Sequence, residues 1–339
     1  MADDAGPARR MRAPDSAPGH QADEVSLPAG IVAAVASRPA DSLLIERGMR
    51  GAATGDSWLR RLPRDVADLC TDWGLVPDGS PRHGVCALVV PVVGEAGPAA
   101  LKITWPHLEA ATEHLALRHW NGHGAVRLLR ADPPRWAMLL ERLDTDRDLH
   151  GIPIDEACHT IGDLLRQLRV PAPATVPRLT AYAARQAHDF AEVLRAGTTP
   201  VPRRFIDQAR ALADDFAREP TTQGWLLHTD LHFANVLAGV REEEPTWLAI
   251  DPKPMAGDSA FEIGPLLWNR TTELGTGSQV RWSLRRRMEL ACEAAEIDED
   301  RARAWTIVRE MDNALDLAAD PTATTRVGLS VAIIKAMQP

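Results

Sequence analysis

The chain has 339 residues, enough for two lobes sharing one cleft, because single hydrophobic cores stop growing at roughly 250–300 residues. Its net charge of −9, from 47 acidic and 38 basic residues, argues against a nucleic-acid partner, which needs a basic face, and suits a cationic ligand. No apolar run nears the roughly 20 residues that cross a bilayer, and the N-terminus lacks the charged-then-apolar order of a signal peptide, so a cytoplasmic protein with no membrane partner is expected.

In chain order, residues 1–24 are rich in Ala, Pro, Asp and Arg without apolar periodicity and read as a disordered tail. Helical patterns follow over 31–45 and 54–73, the second with apolar positions at Trp58, Leu59, Leu62, Val66, Leu69 and Cys70. Two apolar runs, 87–93 and 99–104, flank a Gly/Pro turn and read as an antiparallel hairpin. Pro106 suits the first turn of a helix over 107–120, which Gly122 and Gly124 end. Residues 126–129 and 137–143 read as two short strands around the turn-forming Asp132-Pro133-Pro134. From Asp155 the pattern is mostly helical, over 155–168, 179–196 and 203–218. A β interlude at 236–240 and 247–250 follows, and helices resume from Glu262. The expected class is α+β: a tail over 1–24, a sheet-containing N-lobe over 25–143, and a mainly helical C-lobe over 144–339. Arg281, Arg285, Arg286 and Arg287 read as a solvated helix face. The four scattered cysteines form no C-x-x-C pair, so they read as buried or incidental thiols.

Two segments carry chemistry. The first runs H-T-D-L-H-F-A-N from His228 to Asn235, and an apolar strand then leads into Asp251 of I-D-P-K-P. Phosphoryl transfer asks the protein for positioning and charge neutralisation more than covalent help. Asn235 and Asp251 offer oxygen ligands that suit Mg2+, and Asp230 offers a separate carboxylate to take the proton of an attacking hydroxyl. The spacing matches the H-x-D-x-x-x-x-N loop and following metal-binding Asp of protein-kinase-like enzymes. His228 and His232 also have the spacing of a metal pair on a helix, but the T-D-L between them is loop-like. The second segment, A-A-L-K-I around Lys102, resembles the lysine strand of the same superfamily, with Glu113 or Glu109 on the next helix as its partner. Residues 80–85 fall where a phosphate-covering loop belongs, with Ser80 or Arg82 serving in place of a glycine-rich sequence. The stretch through Glu141 and Leu143 falls where the lobes join, and its backbone is placed to meet an adenine ring.

With these pieces assembled, the chain resembles the aminoglycoside and hydroxyurea antibiotic-resistance kinases from about Ala87 to Arg270. The most specific clusters are H-T-D-L-H, N-V-L and W-L-A-I-D-P-K-P, with Gly257-Asp258. The resemblance implies a protein-kinase-like two-lobe fold and ATP- and Mg2+-dependent O-phosphorylation of a small acceptor. It makes Asp230 the catalytic base, Asn235 and Asp251 the metal ligands and Lys102 the phosphate lysine. It also points to a cationic aminoglycoside such as streptomycin, with hydroxyurea, a sugar or another metabolite as alternatives. A nucleotide-binding pseudokinase is the alternative from another class, and the complete set Lys102, Asp230, Asn235 and Asp251 argues against it. Asp258, Glu262, Glu310, Asp312 and Asn313 are candidates for the acceptor side. Asp258 also reads as a helix N-cap, and Glu310 and Asp312 as solvated helix residues.

Overall fold

Pro39 divides the helical pattern expected over 31–45, since proline has no N–H to donate and restricts the residue before it. In the computed structural model the segment forms α1 (Ala29–Val35) and α2 (Ser42–Glu46), and the Asp41 carboxylate caps the second by accepting the N–H groups of Leu43 and Leu44. The structure describes residues 26–197, 199–219, 224–240 and 246–339; the tail expected over 1–24 lies outside them. Helix α3 (Gly55–Trp73) starts on a Thr54 cap and stops at Gly74, whose φ of 64° opens the left-handed region that ends helices.

Next comes an antiparallel sheet. β1 (Val76–Pro77) and β2 (Arg82–His83) both pair with β3 (Ala87–Gly94), and a tight turn through Gly97 returns the chain as β4 (Gly97–Thr104). Opposite Lys102 stands Val89 on one side and Met138 on the other, so the lysine sits on a central strand. The helix expected over 107–120 is a 3-10 segment at Leu108–Thr112 followed by α4 (Glu113–Trp120). The next strand is β5 (Leu128–Asp132), two residues later than its sequence pattern. Val126 has left the sheet because its N–H donates to Ala249 O at 2.9 Å, in the other half of the molecule. β6 (Ala137–Glu141) completes the order β1–β3–β4–β6–β5. One face of this sheet packs on α1 and α3, with Trp58, Leu62 and Leu69 meeting Leu88, Val90 and Leu101 in a core of their own.

After Arg142 and Leu143 the pairing changes partner. β7 (Asp144–Asp148) joins a second sheet of order β10–β9–β7. Helices α5 (Ile154–Leu168), α6 (Leu179–Ala196) and α7 (Arg203–Arg218) lead to β8 (Trp225–Leu227), β9 (Val236–Ala238), β10 (Trp247–Ala249) and β11 (Met255–Gly257), with β8 and β11 paired. A 3-10 segment, Ser259–Leu267, then precedes α8 (Ser278–Ala295), α9 (Glu299–Ala318) and α10 (Thr324–Ala336). Gly162 lets α5 approach α8 closely: a Cβ there would lie 2.6 Å from both Ala291 O and Ala294 Cβ. The basic cluster on α8 is not uniformly solvated. Arg287 is buried and donates to Asn269 O and Arg270 O at 2.9 Å, satisfying carbonyls where the 3-10 segment leaves them bare. All four cysteines are free, three of them buried. Among the described residues no helix is long and apolar enough to cross a membrane.

Candidate active site

Lys102 on β4 and Glu113 at the first turn of α4 are both buried, 5% and 2% exposed, and meet at 2.6 Å. The ammonium also contacts the Asp251 carboxylate, 149 residues away, at the end of β10. Burial opposes a charged lysine, but two carboxylates outweigh it and hold Lys102 above the ordinary lysine range. Glu113 goes the other way. Its burial, reinforced by the nearby Asp251 charge, pushes it up to about 7 against the pull of Lys102. Asp251 leaves half of its side chain open to solvent. Enclosure by its neighbours opposes its charge, but Lys102 prevails and holds it at about 2. Of the two glutamates the sequence offered, Glu113 takes the lysine. Glu109, on the 3-10 segment, reaches Lys253 instead, at 3.3 Å.

The H-T-D loop is tied down from every side. His228 Nε2 donates to Ile250 O at 2.9 Å, and its Nδ1 accepts the N–H of Asp230 at 3.3 Å. With both ring nitrogens engaged, His228 cannot join His232 as a metal pair, and complete burial depresses it to about 3, so it is neutral. Thr229 adopts φ 60°, a region β-branched residues avoid. Its N–H donates to Glu262 at 2.7 Å, its hydroxyl donates to Lys253 O at 2.6 Å, and its carbonyl accepts from Arg309 of α9. These contacts hold the strained turn that presents Asp230. Asn235 donates through Nδ2 to Asp230 O at 2.9 Å, and Ile250 N–H donates to Asn235 O at 2.9 Å, so the loop and the strand end carrying Asp251 are one unit. Lys253 Nζ lies 3.4 Å from Asp230 Oδ2. Burial weakens its charge, yet Asp230 and Glu109 raise it.

The donor set suits magnesium, which takes one or two protein oxygens and fills its octahedron with phosphates and water. Asn235 spends its amide nitrogen on Asp230, which leaves its carbonyl as the end that could meet a metal, and Asp251 has a half-open carboxylate. Among the described residues no group of three His, Cys, Asp or Glu side chains forms a protein-only metal cage.

Other residues singled out by sequence fall outside this cluster. The N–H of Glu141 donates to Arg127 O at 3.0 Å, and its carboxylate accepts the N–H of Arg127 at 2.6 Å; Leu143 is buried where the two sheets part. Within 80–85, residues 82–83 form β2, and Arg82 pairs with Asp146 at 2.7 Å. Asp258 caps the 3-10 segment and binds Arg301 and Trp305, a structural role. Glu310 is not solvated: it is 1% exposed and accepts from Trp268 Nε1 and from Asn313 at 3.2 Å. Asp312 accepts the Tyr182 hydroxyl at 2.9 Å, and burial lifts it to about 6. Sequence reasoning missed the bracing by Arg309 and the position of Lys253. The second was signalled only by its place two residues after Asp251.

A sequence model described as aminoglycoside/hydroxyurea antibiotic resistance kinase matches residues 72–320. A hydroxyurea phosphotransferase of Kitasatospora aureofaciens is 41% identical over 292 residues, covering 84% of this chain and 81% of that protein. A streptomycin 6-kinase of Streptomyces glaucescens is 38% identical over 280 residues, covering 80% and 90%. Among solved structures, a thermostable mutant of the aminoglycoside phosphotransferase APH(4)-Ia, in ternary complex with ADP and hygromycin B, superposes with a TM-score of 0.52. It is 16% identical and covers 80% of this chain and 97% of that one, so the likeness speaks to fold. The sheet-plus-helices architecture agrees with the sequence match: the chain belongs to the aminoglycoside/hydroxyurea antibiotic resistance kinase family and is a small-molecule phosphotransferase.

Proposed function

We propose that this phosphotransferase uses ATP and magnesium to phosphorylate a hydroxyl of an aminoglycoside, with streptomycin as the first acceptor to test. The observation that carries the reading is the meeting of Lys102, Glu113 and Asp251 beside the Asp230–Asn235 loop, contributed by segments up to 149 residues apart. The division of labour is the one the family resemblance implies, and the contacts among these side chains support it. Lys102, fixed by Glu113, holds the α- and β-phosphates of ATP. The backbone of Leu143, between the N-lobe over 25–143 and the C-lobe over 144–339, meets the adenine, since the N–H of Glu141 is already donated to Arg127. Asn235 and Asp251 hold magnesium, which when bound neutralises and orients the phosphate oxygens. Asp230 accepts the proton as the acceptor oxygen attacks the γ-phosphorus. The likeness to streptomycin 6-kinases and the acidic balance of the chain support a cationic acceptor. The likeness to a hydroxyurea phosphotransferase supports hydroxyurea as the second reading.

The test is an acceptor panel with purified protein, ATP and magnesium, read by the mass of the product. Streptomycin is expected to be phosphorylated far faster than kanamycin-type aminoglycosides or simple sugars. Equal or faster turnover of hydroxyurea or a neutral sugar overturns the aminoglycoside reading.

A further inference from the structure

Lys102 is buried and committed to two carboxylates, so it cannot follow charge as it moves from ATP to the acceptor. A second cation stands closer to where that movement occurs. Lys253 Nζ lies 3.4 Å from the carboxylate of Asp230, and its backbone is fixed at both ends: N–H to His228 O at 2.9 Å, carbonyl to Thr229 Oγ1 at 2.6 Å. Only its head is free to change partner. That head is 37% exposed and spans to Glu109, on the far side of the cleft, at 3.3 Å. Glu109 is itself 61% exposed, so water screens the pair and little holds it together.

We propose that Lys253 is a catalytic cation that leaves Glu109 for the γ-phosphoryl group of ATP and stays on it through transfer. The inference rests on the phosphotransferase reading of this site. The γ-phosphoryl group moves toward a hydroxyl whose proton Asp230 takes, and the Lys253 ammonium, 3.4 Å from the Asp230 carboxylate, stands beside that point of arrival. In the step, the acceptor oxygen forms a bond to the γ-phosphorus and the bond to the β–γ bridging oxygen breaks. The acceptor proton passes to Asp230, and the electron pair of the broken bond leaves with ADP. Lys253 contributes no atom; it neutralises the equatorial oxygens, where a positioned cation acts most strongly. Once the phosphoryl group has gone, Glu109 takes the lysine back, and ADP leaves without contest from it.

The test compares nucleotides that differ at the γ position. Calorimetric titration of Lys253→Met with Mg-AMP-PNP is expected to show affinity lowered about tenfold, the loss of one charged contact, with Mg-ADP affinity unchanged. Turnover of streptomycin is expected to fall roughly 10²-fold or more at unchanged streptomycin KM, and Lys253→Arg to recover part of it. Glu109→Gln is expected to raise AMP-PNP affinity severalfold by removing the competing partner. A Lys253→Met variant that loses AMP-PNP and ADP equally, or loses neither, overturns the proposal, as does a change confined to streptomycin KM. An unchanged or weakened AMP-PNP affinity in Glu109→Gln overturns the exchange. If the wild type phosphorylates no streptomycin while the AMP-PNP and ADP titrations still separate in Lys253→Met, the acceptor reading has failed and this inference stands.

Discussion

Asp230 and Asp251 are both aspartates in one cluster, yet their surroundings differ, and so do the roles proposed for them. Asp251 is half open and bonded to a lysine that also belongs to Glu113, a setting that suits the proposed metal ligand. Asp230 is buried, its carbonyl held by Asn235, with its carboxylate beside Lys253. Replacing Asp251 with Ala is expected to weaken Mg-AMP-PNP binding itself, because magnesium dehydrates reluctantly and Asp251 is the charged one of the two protein oxygens offered to it. Replacing Asp230 with Asn is expected to leave that affinity in place and cut turnover by roughly 10²- to 10⁴-fold, the worth of a general base. Calorimetry beside turnover separates the two; nucleotide affinity lost in Asp230→Asn and kept in Asp251→Ala reverses the assignment. At this scale the sequence offered Lys102 upstream of a spaced Asp230, Asn235 and Asp251, and the structure brings Lys102 to Asp251 and Asn235 to Asp230. The sequence did not show that Glu113 rather than Glu109 takes the lysine. Both lie on one face, one turn apart, and the choice is made by the 3-10 segment that replaces the first turns of the expected helix.

Elements were legible where an apolar face is periodic, as in α6, which stops at the left-handed Gly197, and α7, which starts after Pro202; both match the pattern residue for residue. They were not legible where pairing is non-local. β8 and β11 are three residues each and owe their existence to one another across 30 residues of chain, and β7 pairs with β9 although it follows β6. No local pattern records such pairings. Close helix contacts are equally hidden, and Gly162 is the clearest case. Glycine in a helix interior costs roughly 0.5–1 kcal/mol relative to alanine, so propensity alone favours Gly162→Ala. The α8 backbone decides otherwise, because the added methyl would lie 2.6 Å from Ala291 O. Overpacking typically costs 1–3 kcal/mol, so Gly162→Ala is expected to lower stability by about 1–2 kcal/mol net, read as a lower urea midpoint at unchanged slope. A raised midpoint would show that α5 and α8 can part without loss.

For the whole molecule, the buried groups that organise the loop from His228 to Asn235 also set how stability depends on pH. His228 faces Ile250 O, the ring of Trp120, and the charges of Asp251, Lys253 and His232; burial depresses it from 6.5 to about 3. Below pH 6.5 the unfolded chain binds a proton that the folded one refuses, so this contribution is lost as pH falls from 6.5 toward 3. Glu262 faces the N–H of Thr229, with Arg309 and Arg169 nearby, and burial lifts it from 4.5 to about 7. Here the folded state keeps a proton that the unfolded state has given up, so stability is fully present below 4.5 and lost as pH rises through 7. Glu113, also lifted to about 7, adds to the second trend. Between about 4.5 and 6.5 the one histidine slope offsets only one of the two glutamate slopes, so urea midpoints are expected to peak near pH 4.5 and to decline on either side although the chain carries a net charge of −9. Glu262→Gln isolates one slope: the amide oxygen still accepts from Thr229, but no carboxylate remains to ionise. Its alkaline decline is expected to shrink by on the order of 3 kcal/mol between pH 4.5 and 8, the equivalent of the lost shift. A variant whose midpoints fall as steeply as the wild type's over that interval would place the proton elsewhere, with Glu113 the next carboxylate to replace.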